Sequence, residues 1–155
     1  MIIVVSGTPG TGKTLFAKKL ANKKKLFYID ANKIIRDEKL FDYYDNKQKT
    51  YVVDIKKFNK KFIQIINSFN KNKDNKKKFT GLIIDSHLSH YLPNKYVDIC
   101  YITRCSIKTL MQRLKKRKYA KKKIFDNIQA EIFEICLQEA IERGHRVKVI
   151  DTQKH

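Results

Sequence analysis

The feature that most constrains this chain is the segment Gly7-Thr8-Pro9-Gly10-Thr11-Gly12-Lys13-Thr14, which matches the pattern G-x-x-x-x-G-K-[ST]. An apolar run precedes it at residues 2–5, and a helical pattern follows it at residues 15–20. Glycines let successive backbone N–H groups point inward at phosphate oxygens, and the start of a helix adds its positive dipole end. A chance glycine-rich turn would lack these flanks. The segment therefore predicts a site for a nucleoside triphosphate with Mg²⁺.

The expected phosphate site has four candidate side chains, those of Lys13, Thr14, Asp85 and His87. We expect Lys13 to reach the β- and γ-phosphates, and Thr14 to place its hydroxyl on the metal ion. Asp85 ends the apolar run at residues 82–84, where an acid beside the phosphate loop can hold Mg²⁺ with Thr14. The alternative is an Asp that only caps the next segment. His87 lies two residues further on and is a candidate to orient water or phosphate.

Length and charge bound the remaining possibilities. The 155 residues predict one domain, and 35 Lys and Arg against 15 Asp and Glu give a net charge of +20. Such a charge attracts nucleic acid and other polyanions. The lysines are mixed with Asn and Ile throughout, as in residues 71–78, so a compositional bias with a simple solvated surface is the competing interpretation.

Cysteine and hydropathy patterns indicate the cellular environment. Three cysteines without C-x-x-C spacing favour a reducing compartment and no disulfide framework. His87 and His90 lack further partners at zinc-ligand spacing, which argues against structural zinc. With no apolar run of 18 residues and no secretory signal, we expect a protein without membrane association, in the cytoplasm, or also in the nucleus if the cell is eukaryotic.

Apolar runs alternate with helical periodicities, which predicts an α/β fold with a five-stranded parallel sheet and helices on both faces. The expected strands lie at about residues 2–6, 26–29, 82–85, 97–102 and 147–150. The expected helices lie at about residues 13–24, 33–40, 55–70, 107–117 and 122–142. An Asn- and Lys-rich stretch at residues 67–78 is expected to join a helix to the third strand.

Two of these helical segments carry an apolar stripe that we expect to be core. The first stripe comprises Phe58, Phe62, Ile65, Ile66 and Phe69. The second comprises Ile124, Ile128, Ile132, Ile135 and Cys136.

Two segments exceed a minimal core and are candidates for inserts. One spans residues 30–54 and contains an expected polar connection at residues 42–47. The other is the basic stretch at residues 115–123. In a phosphotransferase these are the places for an acceptor site and a lid.

Arginine is scarce in this lysine-rich chain, so its positions are informative. Arg113 and Arg117 are four residues apart, which places both guanidinium groups on one helix face, suited to clamping phosphates. Arg36 follows the second strand and is a candidate for the acceptor phosphate. Arg104 closes the fourth strand at the same sheet edge as the loop and is a second candidate for binding the acceptor substrate. Ordinary surface arginines are the alternative.

With the segment Asp126-Asn127-Ile128-Gln129-Ala130-Glu131-Ile132, these motifs make the chain resemble the adenylate kinase isoenzyme 6 family over nearly its whole length. Members are small atypical nucleoside monophosphate kinases, also described as ATPases in small ribosomal subunit maturation. The resemblance rests further on the phosphate loop, Asp85-Ser86-His87, Thr103-Arg104 and residues 113–119. It implies a nucleotide-kinase-like P-loop NTPase fold.

The resemblance also implies specific roles. ATP contacts fall on Gly10, Gly12, Lys13, Thr14, the backbone of Leu15, and Arg117 in a lid at residues 116–126. Residues 30–53 become the monophosphate-binding segment, with Arg36 for the acceptor phosphate. Asp85 and His87 are associated with Mg²⁺ and water activation. Two positions depart from the family pattern: Leu15 replaces a frequent Thr, and Lys118 stands where Gly is usual, which predicts a stiffer lid hinge.

Three functions remain open from the sequence. The first is phosphoryl transfer from ATP to AMP or a related monophosphate, giving two diphosphates behind a closed lid. The second is a regulatory ATPase that binds a small-subunit ribosomal protein and pre-ribosomal RNA. The third, an RNA-binding module with a vestigial nucleotide site, is the weakest, because no aromatic RNA-binding signature interleaves the lysines.

Overall fold

A parallel sheet forms the centre of the structure, a computed structural model that describes residues 1–153. The strands in this range are β1 (Ile2–Ser6), β2 (Leu26–Asp30), β3 (Phe41–Asp45), β4 (Thr50–Val53), β5 (Gly81–Asp85), β6 (Ile99–Arg104) and β7 (Val147–Asp151). The α-helices are α1 (Lys13–Lys24), α2 (Ala31–Asp37), α3 (Ile55–Lys71), α4 (Lys73–Lys78), α5 (Ile107–Lys116), α6 (Lys121–Ile132) and α7 (Ile135–Glu142). None of the described helices is long and apolar enough to span a bilayer.

Five strands form the main sheet in the order β2-β5-β1-β6-β7, and every neighbouring pair is parallel. This confirms the predicted α/β architecture. The central strand β1 is buried along its length, as its apolar sequence requires. The chain moves to one side of β1 for β2 and β5 and to the other side for β6 and β7. The carboxyl end of β1 is therefore the switch point at which such sheets bind ligands.

Helices cover both faces of the sheet, as predicted. One face packs on α1 through Ala17 and Ala21. The other packs on α3, whose residues Phe58, Phe62, Ile66 and Phe69 are buried, with Ile65 partly buried beside them. The first apolar stripe is thus core.

The prediction of one long helix at residues 122–142 is wrong, because α6 and α7 are separated at residues 133–134. Glu134 has φ +54°, a left-handed conformation that ends the helical ladder. Ile128 is buried, but Ile132 and Ile135 are 54% and 42% exposed. The break shifts the phase of the second stripe, so only part of it faces the core.

The expected polar connection at residues 42–47 is also wrong, because residues 42–45 belong to β3, which forms an antiparallel hairpin with β4. Tyr44 lies opposite Tyr51, and their ring centroids are 5.0 Å apart. The Asp45 carboxylate accepts the backbone N–H groups of Lys47 and Gln48 and so shapes the turn. Cross-strand aromatic contacts stabilise this polar segment as a hairpin.

Several element ends differ from the prediction for local reasons. The helix expected at residue 33 begins at Ala31, since Asp30 accepts the N–H groups of Asn32 and Lys33 as its N-cap. The strand expected from residue 97 begins at Ile99 and continues to Arg104, because a 3₁₀ turn occupies Asn94–Tyr96. The Asn- and Lys-rich stretch contains the end of α3 and the exposed helix α4, capped by Asn72.

Candidate active site

A cleft of about 1330 Å³ opens at the carboxyl ends of β1 and β5. The phosphate loop, α2, the β3–β4 hairpin, α5 and α6 line it. All of the predicted site residues except Arg104 line this cleft: Gly10, Gly12, Lys13, Thr14, Leu15, Arg36, Asp85, His87, Arg113 and Arg117.

The backbone of the phosphate loop is closely packed against its surroundings. Gly10 has φ +94°, and a Cβ there would lie 2.9 Å from Leu110 Cδ1 on α5. Gly12 has φ +90° and is the N-cap of α1, so the first turn of this helix points into the cleft. Thr152 Oγ1 donates to the carbonyl of Thr11 at 2.6 Å. The loop is held in a phosphate-receptive shape by glycine conformations and by neighbouring elements.

Lys13 folds back onto the loop that carries it. Its Nζ donates to the carbonyls of Gly7 at 2.9 Å and Thr8 at 3.1 Å. Burial lowers the pKa of Lys13 to about 8, and the Asp85 carboxylate opposes that shift. A phosphate anion beside the amine would favour its charged form, so nucleotide binding and protonation of Lys13 are coupled.

Asp85 and Thr14 meet although they come from distant parts of the chain. Val5 of β1 pairs with Asp85 of β5, which confirms that this acid lies beside the loop. Thr14 Oγ1 donates to Asp85 Oδ2 at 2.8 Å. A hydroxyl and a carboxylate oxygen at this separation fit the oxygen ligands that Mg²⁺ prefers. The pair is a suitable place for the metal of a Mg²⁺–nucleotide complex.

Tyr28 is a site residue that the sequence analysis missed. Its hydroxyl donates to Asp85 Oδ2 at 2.7 Å. Burial and this hydrogen bond raise the pKa of Tyr28 well above its usual range. The residue lies within β2, and its sequence context carries no motif, so only the pairing of β2 with β5 reveals its position.

Two histidines follow Asp85 and differ in their environments. His87 lines the cleft, and burial, with added repulsion from Lys13, lowers its pKa to about 3. The imidazole is therefore neutral near pH 7, so one ring nitrogen can donate a hydrogen bond and the other can accept one. His90 is buried between Ser6 Oγ, 2.6 Å from Nδ1, and Glu139 Oε2, 2.9 Å from Nε2. His90 is a packed side chain, while His87 is available to ligand.

The four candidate arginines occupy three different places. Arg113 Nη1 donates to the carbonyl of Gly10 at 3.2 Å, and Arg117 ends α5 on the same side of the cleft. Arg36 lies across the cleft on the exposed side of α2. Arg104 forms ion pairs with Glu131 and Glu134, so its guanidinium is engaged away from the cleft. The cleft lining also includes Asn32, Tyr44, Gln48 and Tyr51 from α2 and the β3–β4 hairpin region.

Solved structures with a similar fold include a sugar kinase and a deoxyadenosine kinase. The chain superposes on a sugar kinase from Janibacter with a TM-score of 0.60 and 18% identity, covering 98% of this chain and 85% of that one. It superposes on the deoxyadenosine kinase of M. mycoides with a TM-score of 0.53 and 18% identity, covering 99% and 91% of the two chains. A family model described as an AAA domain matches residues 3–134. Fold and phosphate loop together define a P-loop domain of the kinase type.

Sequence relatives narrow this class. The chain is 35% identical to a protein named "Putative adenylate kinase" from Methanosarcina acetivorans, over 98% of this chain and 77% of that one. It is 30% identical to "Adenylate kinase isoenzyme 6 homolog" from Dictyostelium discoideum, over 89% and 73% of the two chains. The chain belongs to the adenylate kinase isoenzyme 6 family, which confirms the resemblance drawn from its motifs.

Proposed function

We propose that the protein transfers the γ-phosphoryl group of ATP to AMP in a Mg²⁺-dependent reaction and releases two molecules of ADP. The observation that carries this proposal is a single cleft with phosphate-binding groups on two opposite sides. Lys13 lies at the phosphate loop, and Arg113 and Arg117 lie beside that loop, after β6. Arg36 lies on α2, which follows β2 on the other side of β1 in the sheet. A hydrolase needs only the first side, whereas a transferase must also hold a second phosphate.

The residues divide the reaction between them. The backbone N–H groups of the loop and Lys13 hold the β- and γ-phosphates, and Arg113 and Arg117 neutralise charge from the lid side. Thr14 and Asp85 would hold Mg²⁺, which would supply further charge neutralisation. Arg36 orients the acceptor, so that one of its phosphate oxygens attacks the γ-phosphorus while the bond to the β–γ bridging oxygen breaks.

Two segments have assigned tasks in this proposal. Residues 30–53 bind the monophosphate, and the hairpin residues Tyr44 and Tyr51 offer aromatic surface to the acceptor. Residues 116–126 form the lid that follows Arg117. Closure of both segments would exclude water from the transferring phosphoryl group, which favours transfer over hydrolysis.

The test is the release of ADP and of inorganic phosphate from Mg²⁺–ATP by the purified protein, with and without AMP. We expect AMP to accelerate ADP formation with little free phosphate. GMP, CMP and UMP serve as matched acceptors, and a smaller acceleration with each is expected if the base is read. A rate of phosphate release that is unchanged by any of the four monophosphates would overturn the proposal.

A second candidate, a regulatory ATPase with a ribosomal partner, is favoured by one surface. The C-terminal end of α1 meets the residues just before β5 at the edge of the sheet opposite the cleft. Thr80 Oγ1 donates to the carbonyl of Lys24 at 2.5 Å, and Thr80 N donates to that of Lys25 at 2.9 Å. This brings the turn with Lys23, Lys24 and Lys25 close to the end of the lysine run at residues 76–78. Such a surface suits a polyanion, and the family resemblance implies that the polyanion is pre-ribosomal RNA, bound together with a small-subunit ribosomal protein.

This candidate has its own test. Binding of a labelled RNA is measured as salt increases, and phosphate release is measured with and without that RNA. A triple change of Lys76, Lys77 and Lys78 to Gln should weaken binding and reduce its salt dependence. The matched control changes Lys56, Lys57 and Lys60 to Gln on the exposed side of α3. An equal loss of RNA affinity in both variants would contradict a specific RNA-binding surface at residues 76–78.

A further inference from the structure

Glu131 is a buried carboxylate for which the proposed transfer reaction has no direct use. It lies near the end of α6 and is 3% exposed. Burial raises the pKa of its carboxyl group, and the backbone N–H of Cys105 and the charge of Arg104 oppose that shift. A buried carboxylate is costly unless its oxygens are satisfied, so its partners indicate why it is there.

The partners of Glu131 come from two separate parts of the chain. Thr8 Oγ1 of the phosphate loop donates to Oε1 at 3.3 Å. Cys105 N, just after β6, donates to Oε2 at 3.4 Å. Arg104 Nε lies 3.8 Å from Oε1, and Arg104 Nη2 donates to the Glu131 carbonyl at 3.3 Å. One side chain thus joins the phosphate loop, the end of β6 and α6.

Thr8 is the residue around which the phosphate loop is organised. Its carbonyl accepts Thr11 N at 3.2 Å, Thr11 Oγ1 at 2.7 Å and Lys13 Nζ at 3.1 Å. Its side chain is buried and bonds to Glu131. A shift of Thr8 would therefore displace both the turn of the loop and the amine that is expected to meet the phosphates.

The same helix also forms one wall of the cleft. Lys123, Asp126 and Asn127 of α6 line it, and the lid proposed at residues 116–126 includes the first turns of α6. The far end of α6 is fixed by Arg104, which pairs with both Glu131 and Glu134 at the helix break. The contacts of Glu131 lie at the point where the lid helix is anchored to the phosphate loop.

We propose that Glu131 is a positioning residue that holds Thr8, and with it the empty phosphate loop, in the shape that receives nucleotide phosphates. The inference rests on the proposed function in so far as the loop must bind ATP. Without this contact the loop would become ordered only when nucleotide binds, and that ordering would reduce affinity. The contact acts before chemistry, so its loss weakens ATP binding more than it slows turnover.

The test compares Thr8→Val, Glu131→Leu and the double variant for Mg²⁺–ATP binding by calorimetry and for KM and kcat. Val keeps the shape of Thr8 and removes only the hydroxyl donor. We expect each single variant to weaken ATP binding and raise KM for ATP by about tenfold, with kcat changed by less than about threefold. The double variant should be no worse than Glu131→Leu, because both changes remove one contact.

A conservative variant and two controls separate positioning from general stability. Glu131→Gln keeps the volume, can accept Cys105 N and can donate to Thr8 Oγ1, so it should recover most of the ATP affinity. Glu134→Gln removes the other partner of Arg104 without touching Thr8, and should lower Tm with ATP affinity unchanged. Glu142→Gln, exposed on α7, should change neither property.

The outcomes distinguish this inference from the proposed function. Wild-type protein that fails to bind Mg²⁺–ATP would overturn the proposed function. Wild-type binding together with undiminished binding by Thr8→Val would overturn the role of Glu131 alone. A lower Tm for Thr8→Val and Glu131→Leu with unchanged affinity below the transition would mean a purely structural contact, and would also overturn it.

Discussion

The two sides of the cleft differ in how firmly they are held. On the phosphate side, Asp85 is 4% exposed and is bonded to Thr14 and Tyr28, and the loop is tied to Thr152 and Glu131. On the acceptor side, β3 pairs only with β4 within residues 1–153, and Tyr44 is 43% exposed. Both sides line the same cavity, but only one is built into the sheet.

This difference indicates which part of the protein moves. A site whose groups are buried and mutually bonded is pre-organised, so it binds phosphates with little rearrangement. A hairpin and lid with exposed surfaces are free to close over substrate. Changes on the phosphate side should therefore damage every activity, and changes on the acceptor side should damage only transfer.

Lys13→Ala tests the first half of this contrast and should have the largest effect. Removal of the ammonium group that the phosphate loop itself carries should lower kcat/KM for transfer and for any phosphate release by about 1,000-fold or more. Both rates are measured with Mg²⁺–ATP, and Lys19→Ala, exposed on the same helix, is the control. If transfer fell while phosphate release persisted, the phosphate site would not be shared.

Arg36→Gln tests the second half and should have the next largest effect. Loss of the guanidinium facing the acceptor should raise KM for AMP by about 30-fold, with KM for ATP unchanged, because a charged hydrogen bond to phosphate contributes about 2 kcal/mol. Steady-state transfer kinetics measure both constants.

Lys33→Gln is the matched control for Arg36, since it is an exposed cation on α2 that does not line the cleft. Equal effects from both α2 changes would indicate general electrostatic attraction of AMP instead of a specific contact. A rise in KM for ATP with Arg36→Gln would remove the distinction between the two sides.

The phosphate side was predictable because its geometry is encoded locally. Each fixed position of the loop has one physical task, and the flanking strand and helix were found where the pattern required them. Asp85 followed from a rule about parallel strands, and the pairing of Val5 with Asp85 bears out its placement. The roles of these residues in catalysis remain predictions.

The hairpin, the break between α6 and α7, and the role of Glu131 depend on contacts between distant residues, which spacing along the sequence does not reveal. The hairpin forms through aromatic pairs such as Tyr44 with Tyr51 in a segment whose composition is polar. The break at Glu134 involves Arg104, a residue 30 positions away that was expected at the acceptor. Glu131 lies in a segment that contributed only to the family resemblance, and only the fold places its carboxylate against Thr8.

The stability of the folded protein should decrease at acid pH, because burial lowers the pKa values of two histidines on the phosphate side of the cleft. Burial lowers the pKa of His87 to about 3, so the unfolded chain binds more protons than the native state between that pKa and about 6.5. Stability is thus unaffected above about pH 6.5 and falls as pH decreases below it. The pKa of His90 is also lowered, mainly by burial, and adds a change of the same sign.

Urea unfolding at pH 7.5 and 5.5 measures this effect. The shift of His87 should cost about 1 kcal/mol of unfolding free energy over that interval, so His87→Gln should show a smaller loss than wild type. An identical loss in wild type and His87→Gln would show that His87 is solvated in the native state.

The smallest expected effect concerns the hinge of the lid. Lys118 has φ +56°, a left-handed conformation, in the turn between α5 and α6, and its N–H donates to the carbonyl of Lys115 at 2.9 Å. Lys118→Gly relieves the strain of a side chain in this region, and the gain is partly offset by greater freedom of the unfolded chain. We expect the unfolding free energy to rise by about 0.5 kcal/mol.

Lys115→Gly, the same change in the last turn of α5, should instead lower the unfolding free energy by about 1 kcal/mol. Urea unfolding of the two variants decides the matter, because a strained hinge requires opposite signs, and equal losses would mean that the lid turn carries no strain.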